Sequence, residues 1–419
     1  MKRRILASAL LAVCASTTAF AGTQVLLPAQ STDLVPTTLL AGSAASVPQT
    51  SLAAARTPPL QMERQPVSIS WALPHDRAIQ SVTQPFTRSS REYWMDVSAT
   101  ELQRGVPLPL TAPGAIIRLS PSDPVGGKLR SSNVRLQLGR QSMNLSQATS
   151  QLTDAASLQA AGMDVPAASM VMKLKPELGS GLATLQAADA SGRYVIHVFE
   201  PESSLAVTAQ ADRNALLLGG HVHVQVSMHD ADKDAPLAAV GGFLRAPDGS
   251  TTLLDYRQQR DGSFTVDAQP RNIPSALGLW EVHTFTAGVD ANGDEVRRDT
   301  TTVFSAAVPT ARLSGMAMTS AARDHGIDIN VGVTAQSRSR FAISAVLFGR
   351  DVHGEMVPAA FAQSAAVLRK GDSQLVLHYD RASLKGVTAP YELHDLRLQD
   401  QPALGLIERR ALAMRFDTP

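Results

Sequence analysis

The stretch HVHVQVSMHDADKDAPLAAV, residues 221–240, decides how this chain is read. In its first half Val222, Val224, Val226 and Met228 alternate with His221, His223, Gln225 and Ser227. That period of two is the pattern of a strand with one face buried. In its second half Asp230, Asp232 and Asp234 stand at every other position, and a second apolar run follows from Leu237. Working outward, turn chemistry recurs at APDGS (246–250), RDGS (260–263) and VDANGDEV (289–296), between the strand-like runs TTLLDY, FTV, GLWEVHTFTAG and DTTTVFSAAV. About seven short strands with turns every ~8–12 residues is the signature of an immunoglobulin-like sandwich. It is predicted here over residues 204–308.

The same plan returns over residues 309–419. Ile327, Ile329, Val331 and Val333 alternate, AQSRSR (335–340) takes the place of the acidic loop, and DVHGE (351–355) stands where APDGS stood. Upstream, residues 65–203 carry further alternating runs: Val67, Ile69, Trp71 and Leu73; Val106, Leu108 and Leu110; Val134, Leu136 and Leu138; Met170, Met172 and Leu174. Only residues 153–162, TDAASLQAAG, read as a helix, with Thr153 as N-cap and Gly162 as the stop. Trp71 and Trp280 fall on apolar faces and are expected in the core. The predicted fold class is all-β: an N-terminal β-sandwich-like domain followed by two immunoglobulin-like β-sandwiches.

The N-terminus has a different character. Lys2, Arg3 and Arg4, a short apolar run, and Ala19-Phe20-Ala21 have the order of a secretory signal peptide over residues 1–21. Residues 22–64, rich in Ala, Ser, Thr, Pro and Gln, have no sustained period and are expected to be a flexible leader. The single cysteine, Cys14, lies within the signal, so the exported chain has no disulfide to staple it. The 38 Lys and Arg nearly balance 37 Asp and Glu, which leaves no electrostatic footprint for nucleic acid. No further apolar run is long enough to span a bilayer. The expected location is periplasmic or secreted.

Three stretches, SREYWMDV (90–97), TAPGAIIRLSP (111–121) and SGRYVIHVFEP (191–201), followed by the two immunoglobulin-like units, resemble an uncharacterised exported gammaproteobacterial family known as a domain of unknown function. The resemblance covers most of the chain after the leader. It implies an N-terminal β domain, tandem immunoglobulin-like domains and an extracytoplasmic site, and it offers no catalytic residues to carry over.

The chain lacks the His-Glu-x-x-His, Gly-x-Ser-x-Gly and Ser-x-x-Lys patterns, a phosphate loop and a dinucleotide fingerprint. Two candidate sites remain. Asp230, Asp232 and Asp234 have the spacing of calcium-loop ligands, and Asp290, Asn292 and Asp294 lie in a loop that immunoglobulin topology brings to the same end. Facing carboxylates repel unless a cation such as calcium joins them. The third domain gathers no acids in its equivalent loops. Against the calcium reading stands an ordinary one, since Asp, Asn and Gly also build solvated turns, and Lys233, Arg297 and Arg298 balance charge nearby. His221 and His223 share one strand face, as a solvated pair or as two metal ligands.

The second candidate is Tyr93 with Trp94, one of which must face outward, as a stacking surface for a ligand. The functional reading is an exported non-catalytic binding or adhesion module for a protein or glycan partner. Two alternatives stand beside it. One is a secreted hydrolase using Arg91, Glu92 and Asp96 in the N-terminal domain. The other is a structural spacer.

Overall fold

The computed structural model describes residues 22–41, 65–76, 86–122 and 129–417. The signal-like residues 1–21 and most of the second half of the leader lie outside the described residues. The chain divides into two compact units, one built from residues 83–308 and the other from residues 309–419 with N-terminal segments.

In the first unit, residues 92–199 fold as two facing antiparallel sheets. One runs in the order Glu92–Ser98, Arg193–Phe199, Ile116–Pro121, Met170–Leu174, Thr149–Asp154; the other runs Val106–Leu110, Gly181–Ala187, Val134–Leu138, Gln141–Asn144. The alternating apolar residues fill the space between them, with Leu108, Ile117, Leu119, Leu136, Met172 and Ile196 all fully buried. The helix foreseen at 153–162 is Ala155–Ala160, capped by Asp154, whose carboxylate accepts from the Ser157 N–H. A second helix, Ala99–Arg104, carries a capping box in which Ser98 and Glu101 exchange hydrogen bonds.

The rest of this unit has immunoglobulin strand order. Leu205–Ala211, Val222–Asp230, Phe264–Ala268 and Arg257–Gln258 make one sheet. The other is formed by Ala215–Leu217, Glu295–Ala307, Trp280–Val289, Leu237–Arg245 and Thr251–Leu253. The short strand Ala215–Leu217 switches sheets and pairs in parallel with the last strand. Val222, Val224, Val226 and Met228 are buried as the opening stretch predicts, and Trp280 is 6% exposed in the same core. Thr87–Ser90 adds to the first of these sheets beside Leu205–Ala211, although it precedes the N-terminal sandwich in the chain.

In the second unit, Ala311–Ala321, Ile327–Ala335 and Gly371–Tyr379 face Met356–Leu368, Ser339–Arg350, Thr388–Asp400 and Gly405–Phe416. Both sheets end on strands from the N-terminal part of the chain. Gly22–Val25 pairs with Ala311–Ala321, and Val67–Ala72 pairs with Met356–Leu368. Two expectations are corrected here. The described part of the supposed flexible leader is in place: Leu26 is buried in this core, and Leu34 forms a bridge with Arg409. Its local pattern is weak because Gly22–Val25 relies on a partner nearly 300 residues away. Trp71 is not core but 47% exposed, tilted against Phe361, because Val67–Ala72 is an outermost strand with a neighbour on one side only. Among the described residues no helix is long and apolar enough to cross a membrane.

Candidate functional site

The two acidic loops do come to the same end of the immunoglobulin-like domain. Leu237 pairs with Gly288, and a Cβ on Gly288 would sit 2.5 Å from the Pro236 carbonyl oxygen. Asp230, Asp234 and Asp290 are nevertheless engaged by neighbouring groups. Asp230 accepts from the Ser204 hydroxyl, Asp234 pairs with His229 at 3.0 Å, and Asp232 is an exposed residue of the hairpin turn. Asp290 Oδ1 accepts from the backbone N–H groups of Asn292 and Asp294, both at 2.8 Å, which holds its carboxyl below the usual range. Asp351 makes the same turn in the second unit, accepting from the His353 and Glu355 N–H groups at 2.9 Å. Gly293 and Gly354 supply the positive φ in each, at 85° and 79°. Among the described residues no group of three or more His, Cys, Asp or Glu is placed to hold a metal ion. His223 is outward-facing and paired with Asp267 at 3.1 Å.

Tyr93 and Trp94 split as neighbours in a strand must. Tyr93 points inward, 1% exposed, and donates its hydroxyl to the Pro109 carbonyl at 3.0 Å. Burial and the nearby Glu200 carboxylate push the Tyr93 phenol far above its ordinary value. It is a core residue, which corrects its reading as a ligand contact. Trp94 is on the outer face, stacked on His197 with ring centroids 4.7 Å apart. His197 in turn meets Glu92 at 2.8 Å. Glu92 and Asp96 share this face, four residues apart on one strand. Both also have partners, since Glu92 meets His197 and faces Arg88 at 3.9 Å while Asp96 meets Arg193 at 2.8 Å.

A constellation that sequence reading misses lies where the two β domains of this unit meet. Arg298 and Glu200 are both 0% exposed and bridge at 2.8 Å. The Arg298 side chain also donates to the carbonyls of Leu205 and Arg297 and to the hydroxyls of Thr111 and Ser203. Those four bonds and the bridge account for all five guanidinium donors. Glu200 accepts from the Thr111 and Ala112 N–H groups and from the Thr111 hydroxyl. A buried pair loses about 3–5 kcal/mol when one partner is removed. This network is closed, with no donor left for a ligand, so its role is to fix the joint. Beside it, Asp299 accepts from the Trp94 N–H at 2.7 Å. The three stretches that carry the family resemblance meet here, through Trp94, Thr111 and Glu200. Only the 98- and 187-residue separations hid it.

The open chemistry is elsewhere in the same unit. A cleft of about 630 Å³ opens between the edges of the two immunoglobulin-like sheets, near Thr251–Leu253 and Arg257–Gln258. Its floor is apolar, from Leu244, Val266 and Trp280. Several wall groups are already engaged: Asp248 is held at a pKa of about 2 by hydrogen bonds from Ser250 and Ser275, and Arg271 donates to Gln269 at 2.7 Å. Asp255, Arg257 and Asn272 line the cleft with no side-chain partner among the described residues. A carboxylate, a guanidinium and an amide therefore face one concave space with their hydrogen-bonding capacity unused. Leu253 lines the same cleft and is 87% exposed. None of these residues stands out in the sequence, because their grouping depends on two sheet edges and one long loop.

Family comparison extends the picture. The Domain of unknown function (DUF4785) N-terminal domain matches residues 58–200, and the Domain of unknown function (DUF4785) C-terminal domain matches residues 310–416. The crystal structure of a DUF4785 family protein from Legionella pneumophila subsp. pneumophila str. Philadelphia 1 is similar, with a TM-score of 0.68 at 22% sequence identity, covering 85% of this chain and 94% of that one. That likeness speaks to the fold. The native conformation of E. coli alpha-2-macroglobulin matches at a TM-score of 0.22 and 10% identity, over 78% of this chain and 22% of that one, too low to carry an argument. No curated protein matches.

Proposed function

We infer, from the premise that this chain belongs to the DUF4785 family, that it is an exported, non-catalytic binding module that takes a short glycan in the cleft of its immunoglobulin-like domain. One observation carries this reading: Asp255, Arg257 and Asn272 are unpartnered around an apolar floor that includes Trp280. A sugar hydroxyl both donates and accepts, and this trio offers an acceptor, a donor and a group that does both. The volume falls within the range of ordinary ligand pockets. Export is supported by the signal-like residues 1–21, which end where the first strand begins at Gly22. A periplasmic or extracellular location follows from the same reading.

The test is titration calorimetry with soluble oligosaccharide fragments of the bacterial cell wall and outer membrane. Saturable binding should fall at least tenfold in Asp255→Ala and in Asn272→Ala, both at solvent-facing positions whose loss leaves the melting temperature unchanged. Absence of saturable binding across the set, or equal binding by both variants, overturns the reading in favour of a spacer. The hydrolase reading has less support, because Glu92 and Asp96 each already face an arginine.

A further inference from the structure

The second unit holds a cleft of a different chemistry. About 850 Å³ in volume, it lies between the turn after Ala311–Ala321 and the loop that follows Gly371–Tyr379. The turn is tight: the Ala322 N–H donates to the Gly326 carbonyl, and the His325 N–H donates to the Ala322 carbonyl, both at 3.0 Å. A Cβ on Gly326 would fall 2.2 Å from the Tyr379 carbonyl oxygen, so glycine lets the turn press against the loop. Successive short-range bonds, from Ser383 to Asp380, Leu384 to Arg381 and Lys385 to Ala382, wind the loop into a compact knuckle.

The charges at this end are sorted by sign. Asp324 accepts from the Gly326 N–H and lies 3.4 Å from His378, which also bonds Asp328 at 2.7 Å. Asp380 accepts from the Ser383 N–H and hydroxyl and from the Ser70 hydroxyl. All three acids are thus taken up within the fold. The cleft is lined instead by His325, Arg381 and Lys385, which have no ion pair or side-chain hydrogen bond among the described residues. Arg381 could have paired with the neighbouring Asp380, yet that carboxylate is turned toward serines. Beneath these side chains the lining is apolar, from Ile327, Leu384 and Val387 with the ring of Tyr391.

We propose that this cleft binds an amphipathic anion, a phosphate or carboxylate head on a hydrocarbon body, with the head on Arg381 and Lys385 and the body over Ile327, Leu384 and Tyr391. Unpaired exposed cations alone are ordinary surface; Arg381 and Lys385, beside the His325 imidazole, rim a concave apolar lining with every nearby acid otherwise engaged, which makes a site of defined polarity. Arg381 supplies a planar fork matched to phosphate or carboxylate, and Lys385 a point charge. This site is independent of the glycan cleft in the other unit.

The experiment titrates the full chain with dodecyl phosphate below its micellar concentration, followed by amide NMR shifts. Inorganic phosphate and neutral dodecyl maltoside serve as comparisons. Dodecyl phosphate should perturb the 322–327 and 381–391 amides and bind at least tenfold more tightly than either comparison. The variant R381A/K385A, altered at two exposed positions, should keep the wild-type melting temperature and lose at least tenfold in affinity. Co-sedimentation with phosphatidylglycerol vesicles separates the sources: binding to both the monomer and the vesicles identifies a lipid headgroup, and binding to the monomer alone identifies a free amphiphile. The proposal is overturned if dodecyl maltoside or inorganic phosphate binds as tightly, if the variant binds as well as wild type, or if no saturable shift occurs.

Discussion

Asp299 is 5% exposed, and burial raises its pKa from 3.8 to about 7 against the opposing bonds from the Trp94 and Thr286 N–H groups. Arg297 and Glu92 are the charged groups that act on it from its own and the facing strand. Between about pH 4 and 7 the folded state holds a proton that the unfolded chain releases, so its contribution to stability is full below pH 4 and declines as pH rises through 7. Asp299→Asn keeps an acceptor for Trp94 and cannot titrate. The melting temperature of wild type relative to this variant should therefore fall as pH rises from 4 to 7, then level off; parallel profiles would refute the assignment. Residue roles were only half legible in the sequence. Alternation said that one of Tyr93 and Trp94 faces outward, and it is Trp94, but nothing local reveals that Arg298, Glu200 and Asp299 lie together, because their partners come from distant strands.

At the scale of elements, the acidic loop 290–294 and the loop 351–355 are the same turn with different surroundings. Each aspartate accepts two backbone N–H groups, a function that alanine lacks. Asp290→Ala and Asp351→Ala should each lower the urea midpoint, with millimolar calcium shifting neither the variants nor wild type. A calcium-dependent stabilisation that Asp290→Ala abolishes and Asp351→Ala retains would restore the metal reading. Strands were the most legible elements, since Val134, Leu136, Met170 and Met172 are buried as their spacing predicts. The helix at Ala155–Ala160 was foreseen with its cap one residue early, while Ala99–Arg104 was missed because six residues show too little periodicity. The strand Val67–Ala72 was recognised as a strand, but its neighbour was not, because alternation carries no information about which edge a strand will join.

On the scale of the whole molecule, three sandwiches were legible because each repeats the same burial pattern, whereas the ownership of strands was not. Gly22–Val25 and Val67–Ala72 belong to the sheets of the second unit, and Thr87–Ser90 belongs to the immunoglobulin-like sheet of the first. Deleting residues 22–41 removes an edge strand and vacates the place of Leu26 in the core, a loss of about 2–5 kcal/mol for the leucine alone. Hydrogen exchange should then show lost protection in Ala311–Ala321 and unchanged protection in Trp280–Val289. Equal protection in both, before and after deletion, would mean that the N-terminal strand adds nothing.

That borrowed edge also governs timing. Gly22–Val25 leaves the ribosome some 300 residues before the strand it pairs with, so its backbone must wait, unpaired, while the intervening chain is made. An unmatched strand is a template for wrong partners, and contacts this remote in sequence form slowly. The sandwich that contains Ala311–Ala321 is thus the one that completes this much earlier strand, and a holding chaperone is expected to matter most in that interval.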